Sequence, residues 1–286
     1  MQRSTRALSF GLALIALCVA VPSNAELTVS KLFGDGIVLQ RDKPVNIWGW
    51  AKPGETVSLE FAGQRVNATA NEAGKWLATL KPMEASFDSR DIVIAGNDEK
   101  LTIKDVLVGE VWLCGGQSNM AWSVGGSLNP DIEIASADTP AIRYLRLKLV
   151  ASHEVQKDVP LEAGKGWRPC VPEYVRDCTA VGYHFARRLH RYLKVPIGII
   201  DNSWGGTMAQ YWCSNDTLKQ IPEMKPYLDD FNASVRAWVD GGEQAGAEKR
   251  HQAALAKWEI DRMEALREAS GITRKKYFQA NPQVMD

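Results

Sequence analysis

Between residues 45 and 95 apolar and polar positions alternate with a period of two, and turn residues interrupt the alternation at short intervals. Val45–Trp50, Thr56–Phe61, Lys75–Leu80 and residues 91–94 read as strands, with Pro53-Gly54, Ala62-Gly63 and Asn71-Glu72-Ala73-Gly74 as turns between them. This spacing predicts a small antiparallel β-sandwich domain over residues 26–104, in which nothing pairs a nucleophile with a base. After residue 104 the pattern changes. Residues 106–114 are apolar enough for a strand buried on both faces, as in a parallel sheet covered by helices, and 142–149 offer another strand. Residues 179–193 carry Val181, Phe185, Leu189, Tyr192 and Leu193 at helical spacing, with Arg187, Arg188 and Arg191 turned outward. Pro196 stops that helix, and residues 197–200 start a new strand that leads into Ser203-Trp204-Gly205-Gly206-Thr207. Helix, tight turn and strand in this order build an α/β sheet with parallel strands over residues 105–216, where reactive groups sit in loops at the carboxyl ends of strands. Residues 217–286 are charged and alanine-rich, with Leu255, Trp258, Met263 and Leu266 marking one face of a helix whose partner is not obvious.

Composition narrows the function classes. A chain of 286 residues with 45% hydrophobic and 24% charged residues is neither disordered, collagenous nor a coiled coil. Lys plus Arg number 34 and Asp plus Glu number 34, so no overall positive field gathers nucleic acid or anionic lipid. Ten Trp supply flat surfaces that can stack on sugar rings, Trp48 and Trp50 among them, although most indoles serve as core. Residues 1–25 read as a signal peptide: Arg3 and Arg6 precede an apolar run over 7–21, and Ser23-Asn24-Ala25 is a small-x-small cleavage site. That run is short of the roughly 20 residues a membrane span needs, so a secreted or periplasmic location without membrane attachment is expected. Cleavage would leave Cys114, Cys170, Cys178 and Cys213, too few for a disulfide-built scaffold; Cys170 and Cys178 are close enough in sequence to bridge in an oxidising compartment. No Cys/His spacing points to zinc, and no metal or other cofactor is expected.

The sharpest chemical signal is Gly115-Gly116-Gln117-Ser118-Asn119-Met120, directly after the predicted buried strand. Two glycines permit a tight turn that presents Ser118 at the strand end, where its own N–H can face a developing oxyanion. The competing reading is a serine that caps the following helix. Met120 stands where the G-x-S-x-G elbow would need its second glycine. The stretch 109–120 resembles the nucleophile block of the sialate O-acetylesterase family, carbohydrate esterases of the SGNH-hydrolase type. Residues 32–41, 48–55 and 196–207 resemble further stretches of that family, in the family's order. The resemblance implies an SGNH-hydrolase-like parallel sheet with helices, here incomplete, and acyl transfer from an acetylated carbohydrate to Ser118. It also implies a second oxyanion donor at Gly205 or Gly206, a loop shaped by Gln117 and Asn119, and Trp204 and Trp212 as pocket walls.

The chain also departs from the family pattern. A Gln-Gly-Glu-Ser-Asn-like block and an Asp-x-x-His block, the source of the base, do not occur, and none of His153, His184, His190 and His251 has Asp three residues before it. His184 and His190 fall on the arginine-rich helix, where a structural role is expected. A serine without an imidazole is a poor nucleophile, and losing a triad member costs about 10⁴ to 10⁶ in turnover. The expectation is therefore the amino-terminal part of a secreted carbohydrate acetylesterase, truncated inside a helical insertion and nearly inert by itself. The alternatives are a non-catalytic carbohydrate-binding protein, and a chain made active by an unconventional base such as His184.

Overall fold

The computed structural model describes residues 26–152, 154–162 and 164–268; the expected signal peptide and His153 lie outside the described residues. The chain forms two compact units, one ending at Thr207 and one beginning at Met208.

The first unit is mixed α/β. Its strands are β1 (Thr28–Val29), β2 (Val38–Gln40), β3 (Val45–Trp50), β4 (Thr56–Phe61), β5 (Gln64–Thr69), β6 (Lys75–Leu80), β7 (Ser86–Ala95), β8 (Lys100–Gly116), β9 (Thr139–Arg146), β10 (Arg168–Cys170) and β11 (Ile197–Ser203). Its helices are α1 (Ser118–Ala121), α2 (Pro130–Ala135) and α3 (Ala180–Leu193). One sheet has the order β1-β3-β6; the other runs β10-β9-β11-β8-β7-β4-β5, with β2 also paired to β8. Alternation produces β3, β4 and β6 as expected, because every second side chain enters the core. β5 was not expected, since none of its residues is buried. It is held by the hairpin to β4, where Ala62 and Gly63 at φ 50° and 76° make a two-residue turn matched to strand twist.

β8 is the spine of this unit. Its first half pairs antiparallel with β7, and Glu110–Gly116 pair parallel with β11, which pairs parallel with β9. One apolar cluster joins Ile47, Trp76 and Leu80 to Leu59, Ile92, Ile94 and Val106. A second joins Cys114, Ile142, Tyr144, Ile197 and Ile199 to Tyr183 and Ala186 of α3. Two expectations need correction here. The strand predicted over 106–114 is covered on both faces only as far as Gly109; Trp112 and Leu113 are 43% and 66% exposed. There the first cluster has ended, and Trp112 leans edge-on against Phe185 at 5.0 Å. On α3 the buried face is Ala180, Gly182, Tyr183 and Ala186, while Val181 and Phe185 are exposed. Small residues win that face because the helix lies close to the sheet: a Cβ on Gly182 would meet Cys114 Sγ at 2.9 Å. Arg187, expected outward, is drawn to Glu133 at 2.7 Å and lies over the Tyr183 ring.

The second unit contains α4 (Asn215–Lys219), α5 (Lys225–Val239) and α6 (Glu243–Glu268). Ser214 caps α4 by accepting from Thr217 N at 3.1 Å. Leu255 and Trp258 of α6 are each 43% exposed, with Arg262 over the Trp258 ring, so the expected apolar stripe stays in solvent at these positions. Among the described residues no helix is long and apolar enough to cross a membrane.

Candidate active site

The site begins where β8 ends. Gly116 at φ +143° turns the chain out of the strand, and its carbonyl accepts from Trp204 N at 2.8 Å, closing the ladder to β11. The next residues wind into α1, with Met120 N and Ala121 N donating to Gln117 O. Ser118 is exposed at the first position of this turn. Its N–H, expected as an oxyanion donor, is taken by Gln117 Oε1 at 3.1 Å, while Gln117 Nε2 donates to Thr207 O at 3.3 Å. The Gln117 amide thus ties the Ser118 turn to the loop after β11. That loop brings Gly205 against Ser118: a Cβ there would lie 3.7 Å from Ser118 Oγ, whereas one on Gly206 would meet nothing within 4 Å. Asn119 is exposed.

Several supporting residues were not evident from the sequence. Thr179 Oγ1 donates to Met120 O at 2.6 Å, Ala180 N donates to Trp122 O at 2.7 Å, and Val124 N donates to Cys178 O at 2.9 Å. The amino-terminal end of α3 therefore clamps the turn that carries Ser118. Asp201, 2% exposed, accepts from Ser203 N at 3.1 Å and Ser203 Oγ at 2.5 Å, shaping the exit from β11. Its second oxygen has no hydrogen-bond partner among the described residues and lies 3.8 Å from Arg146 Nε. A carboxylate inside an apolar strand was the available signal for Asp201; for Thr179 it was a threonine directly before a helix.

Arg146, at the carboxyl end of β9, lines a cavity of about 380 Å³ together with Lys148, Lys165, Arg168, Glu162 and Asp177. Lys165 holds the Glu162 carboxyl below its usual range through a hydrogen bond and its charge. Arg168 lies 5.0 Å over the Tyr174 ring. Burial pushes the Tyr144 hydroxyl up, and burial followed by the Asp201 charge pushes the Cys114 thiol up to about 11.

The remaining candidates have other neighbours. His184 is exposed beside the Tyr183 ring, and His190 Nδ1 lies 2.7 Å from Val195 O. Among the described residues no imidazole is hydrogen-bonded to Ser118. Trp48 packs edge-on against Phe33 at 4.8 Å, and Lys157 sits over the Trp50 ring at 4.9 Å. Trp204 is half-buried; Trp212, 40% exposed, belongs to the second unit. Among the described residues no group of three His, Cys, Asp or Glu side chains is placed to hold a metal ion.

Residues 108–263, more than half of the chain, match the family model described as carbohydrate esterase, sialic acid-specific acetylesterase. The chain belongs to the sialate O-acetylesterase family. The match starts inside β8, includes Ser118 and Gly205, and ends inside α6. The Mus musculus sialate O-acetylesterase is 30% identical over 225 residues, covering 69% of this chain and 41% of that protein. The Homo sapiens sialate O-acetylesterase is 30% identical over 200 residues, covering 64% and 38%. The crystal structure of a carbohydrate acetylesterase from Xanthomonas citri superposes with a TM-score of 0.63 at 34% identity, covering 67% of this chain and 43% of that one. The chain thus spans about two fifths of the length of these relatives.

Proposed function

We propose that this chain carries the nucleophile side of a secreted carbohydrate O-acetylesterase. The observation that carries the reading is the exposed Ser118 hydroxyl at the end of β8, with the Gly205 backbone beside it. In this reading Ser118 Oγ attacks the acetyl carbonyl of a sugar ester and gives its proton to a base. The tetrahedral oxyanion is met by the Gly205 N–H and, once Gln117 Oε1 releases it, by the Ser118 N–H. Collapse breaks the bond to the sugar oxygen, which leaves protonated, and water then frees acetate from Ser118. The base is assigned to none of the described residues. β8, β11 and β9 are read as strands of an SGNH-type sheet, residues 26–104 as the β-sandwich preceding it, and residues 217–286 as an insertion. Secretion rests on the pattern of residues 1–25. We further propose that the cavity lined by Arg146, Lys148, Lys165 and Arg168, which Ser118 does not line, takes an anionic group on the acetylated sugar.

Turnover of an aryl acetate by the purified chain and by Ser118→Ala, with and without added imidazole, tests this. Without imidazole the chain is expected to run about 10⁴ to 10⁶ below an intact esterase. Added imidazole is expected to accelerate it more than the variant, with the acetyl group trapped on the Ser118 peptide. Equal acceleration of both proteins would remove Ser118 from the mechanism, and ordinary esterase rates without imidazole would overturn the missing base.

A second reading, sugar binding without turnover, is favoured by the lack of an imidazole bonded to Ser118 among the described residues. It predicts that an acetylated sugar binds the chain and Ser118→Ala equally well and that no acetyl group reaches Ser118.

A further inference from the structure

β8 changes partners along its length. Gly109 O accepts from Arg41 N on the β2 side at 2.8 Å, and at the next residue Glu110 N donates to Pro196 O on the β11 side at 2.9 Å. Across a planar trans peptide those two groups point opposite ways, so β2 and β11 lie along opposite edges of β8. Val111 N, facing the β2 edge again, donates to the Gln40 side-chain Oε1 at 2.9 Å, and β2 stops at Gln40. Leu113 and Gly115 repeat the orientation of Val111. Among the described residues no strand pairs with them on that edge, while residues 110–116 keep β11 on the other.

The side chains around this edge are apolar and uncovered. Leu113 is 66% exposed on one face of the sheet. On the other face Trp112 leans against Phe185, with both exposed, and Val181 is exposed one helical turn before Phe185. Sheet edges that stay in water are guarded by charges, prolines or bulges, and Val111-Trp112-Leu113-Cys114-Gly115 holds neither charge nor proline.

We propose that the edge of β8 at residues 111–115 is a docking site for one further parallel β-strand, drawn from the length that the relatives of this chain have beyond the part it matches. The neighbouring pairs, β8 with β11 and β11 with β9, are parallel, whereas a second copy related by a two-fold axis would set β8 against itself antiparallel. Parallel sheets are covered on both faces, and parallel strands are joined by crossover connections that supply such cover. A segment of that kind would bury Leu113 on one face and Trp112, Phe185 and Val181 on the other. The relatives have the length for it, since the matched parts are 41% of the Mus musculus protein and 43% of the Xanthomonas citri one. A strand parallel to β8 ends level with Gly115, so the loop after it arrives at the Ser118 turn from the side opposite the β11 loop. Docking at this edge does not depend on Ser118 being a nucleophile.

Hydrogen exchange read by mass spectrometry on the full chain tests this, with the part of the Xanthomonas citri acetylesterase outside the matched 43% added as a separate polypeptide. Exchange at residues 111–116 is expected to slow by about 10-fold or more on addition, while β5, at the far end of the same sheet, keeps its rate. Leu113→Lys, at a side chain exposed in the free chain, is expected to leave the melting midpoint of the chain alone unchanged and to weaken the association by about 10-fold or more. If the added polypeptide is unfolded by itself, it is joined to this chain through a Gly/Ser linker and the same exchange is read. No association with a folded added polypeptide, association without protection at 111–116, or no protection in the linked protein overturns the proposal. Protection in the chain alone that grows with its concentration, the mark of a second copy, overturns it as well.

Discussion

The Thr179 hydroxyl makes two bonds at once, donating to Met120 O at 2.6 Å and accepting from Gly182 N at 3.3 Å. Thr179→Val keeps the shape and removes both, leaving a backbone carbonyl and an N–H short of partners. The expected cost is about 1–3 kcal/mol in denaturant unfolding, together with weaker acetyl trapping at Ser118 as the turn loosens. On the cavity wall, Arg168 is a cation with an aromatic partner. Arg168→Ala is expected to weaken calorimetric binding of a carboxylated sugar by about 3- to 10-fold and to leave a neutral sugar unaffected. At this scale the exposed serine turn was legible, because two glycines and a serine directly after an apolar strand form a local pattern. Asp201 and Thr179 were not, because their roles exist only through partners on other elements.

Helix α3 shows how an element can be found in the right place and turned the wrong way. Its span follows from Thr179 as amino-terminal cap and from Lys194 at φ 56° before Pro196 as its stop. The face it buries is decided by distance to the sheet, which admits Gly182 and Ala186 and leaves Val181 and Phe185 outside. Gly182→Ala would place a Cβ 2.6 Å from Thr179 Cγ2 and 2.9 Å from Cys114 Sγ. Overpacking of this kind is expected to cost about 1–3 kcal/mol in the unfolding midpoint, whereas Ala at the exposed Val181 should be near neutral. β5 is the converse case: its polar alternation carries no burial signal, and only the turn at Ala62-Gly63 and the ladder to β4 make it a strand.

Across the whole molecule, the second apolar cluster holds groups whose ionisation it resists. Cys114 ordinarily titrates near 9 and is raised here to about 11, and the Tyr144 proton is raised by the same burial. The folded chain therefore holds these protons while the unfolded chain gives them up. The contribution to stability is complete below about pH 9 and is lost as pH rises towards 11. Thermal melts across that window should show a falling midpoint, less steep in Cys114→Ala; a flat profile would contradict the burial of this thiol. The sequence by itself determined the short strands before residue 104, the helix before Pro196 and the serine turn, because each depends on periodicity, caps and glycines among near neighbours in the chain. The tertiary structure alone decided that β8 serves two clusters, that Gly205 and not Gly206 meets Ser118, and that Gln117 occupies the Ser118 N–H. Those outcomes depend on how closely separate elements approach one another, a distance set by packing, which no run of neighbouring residues encodes.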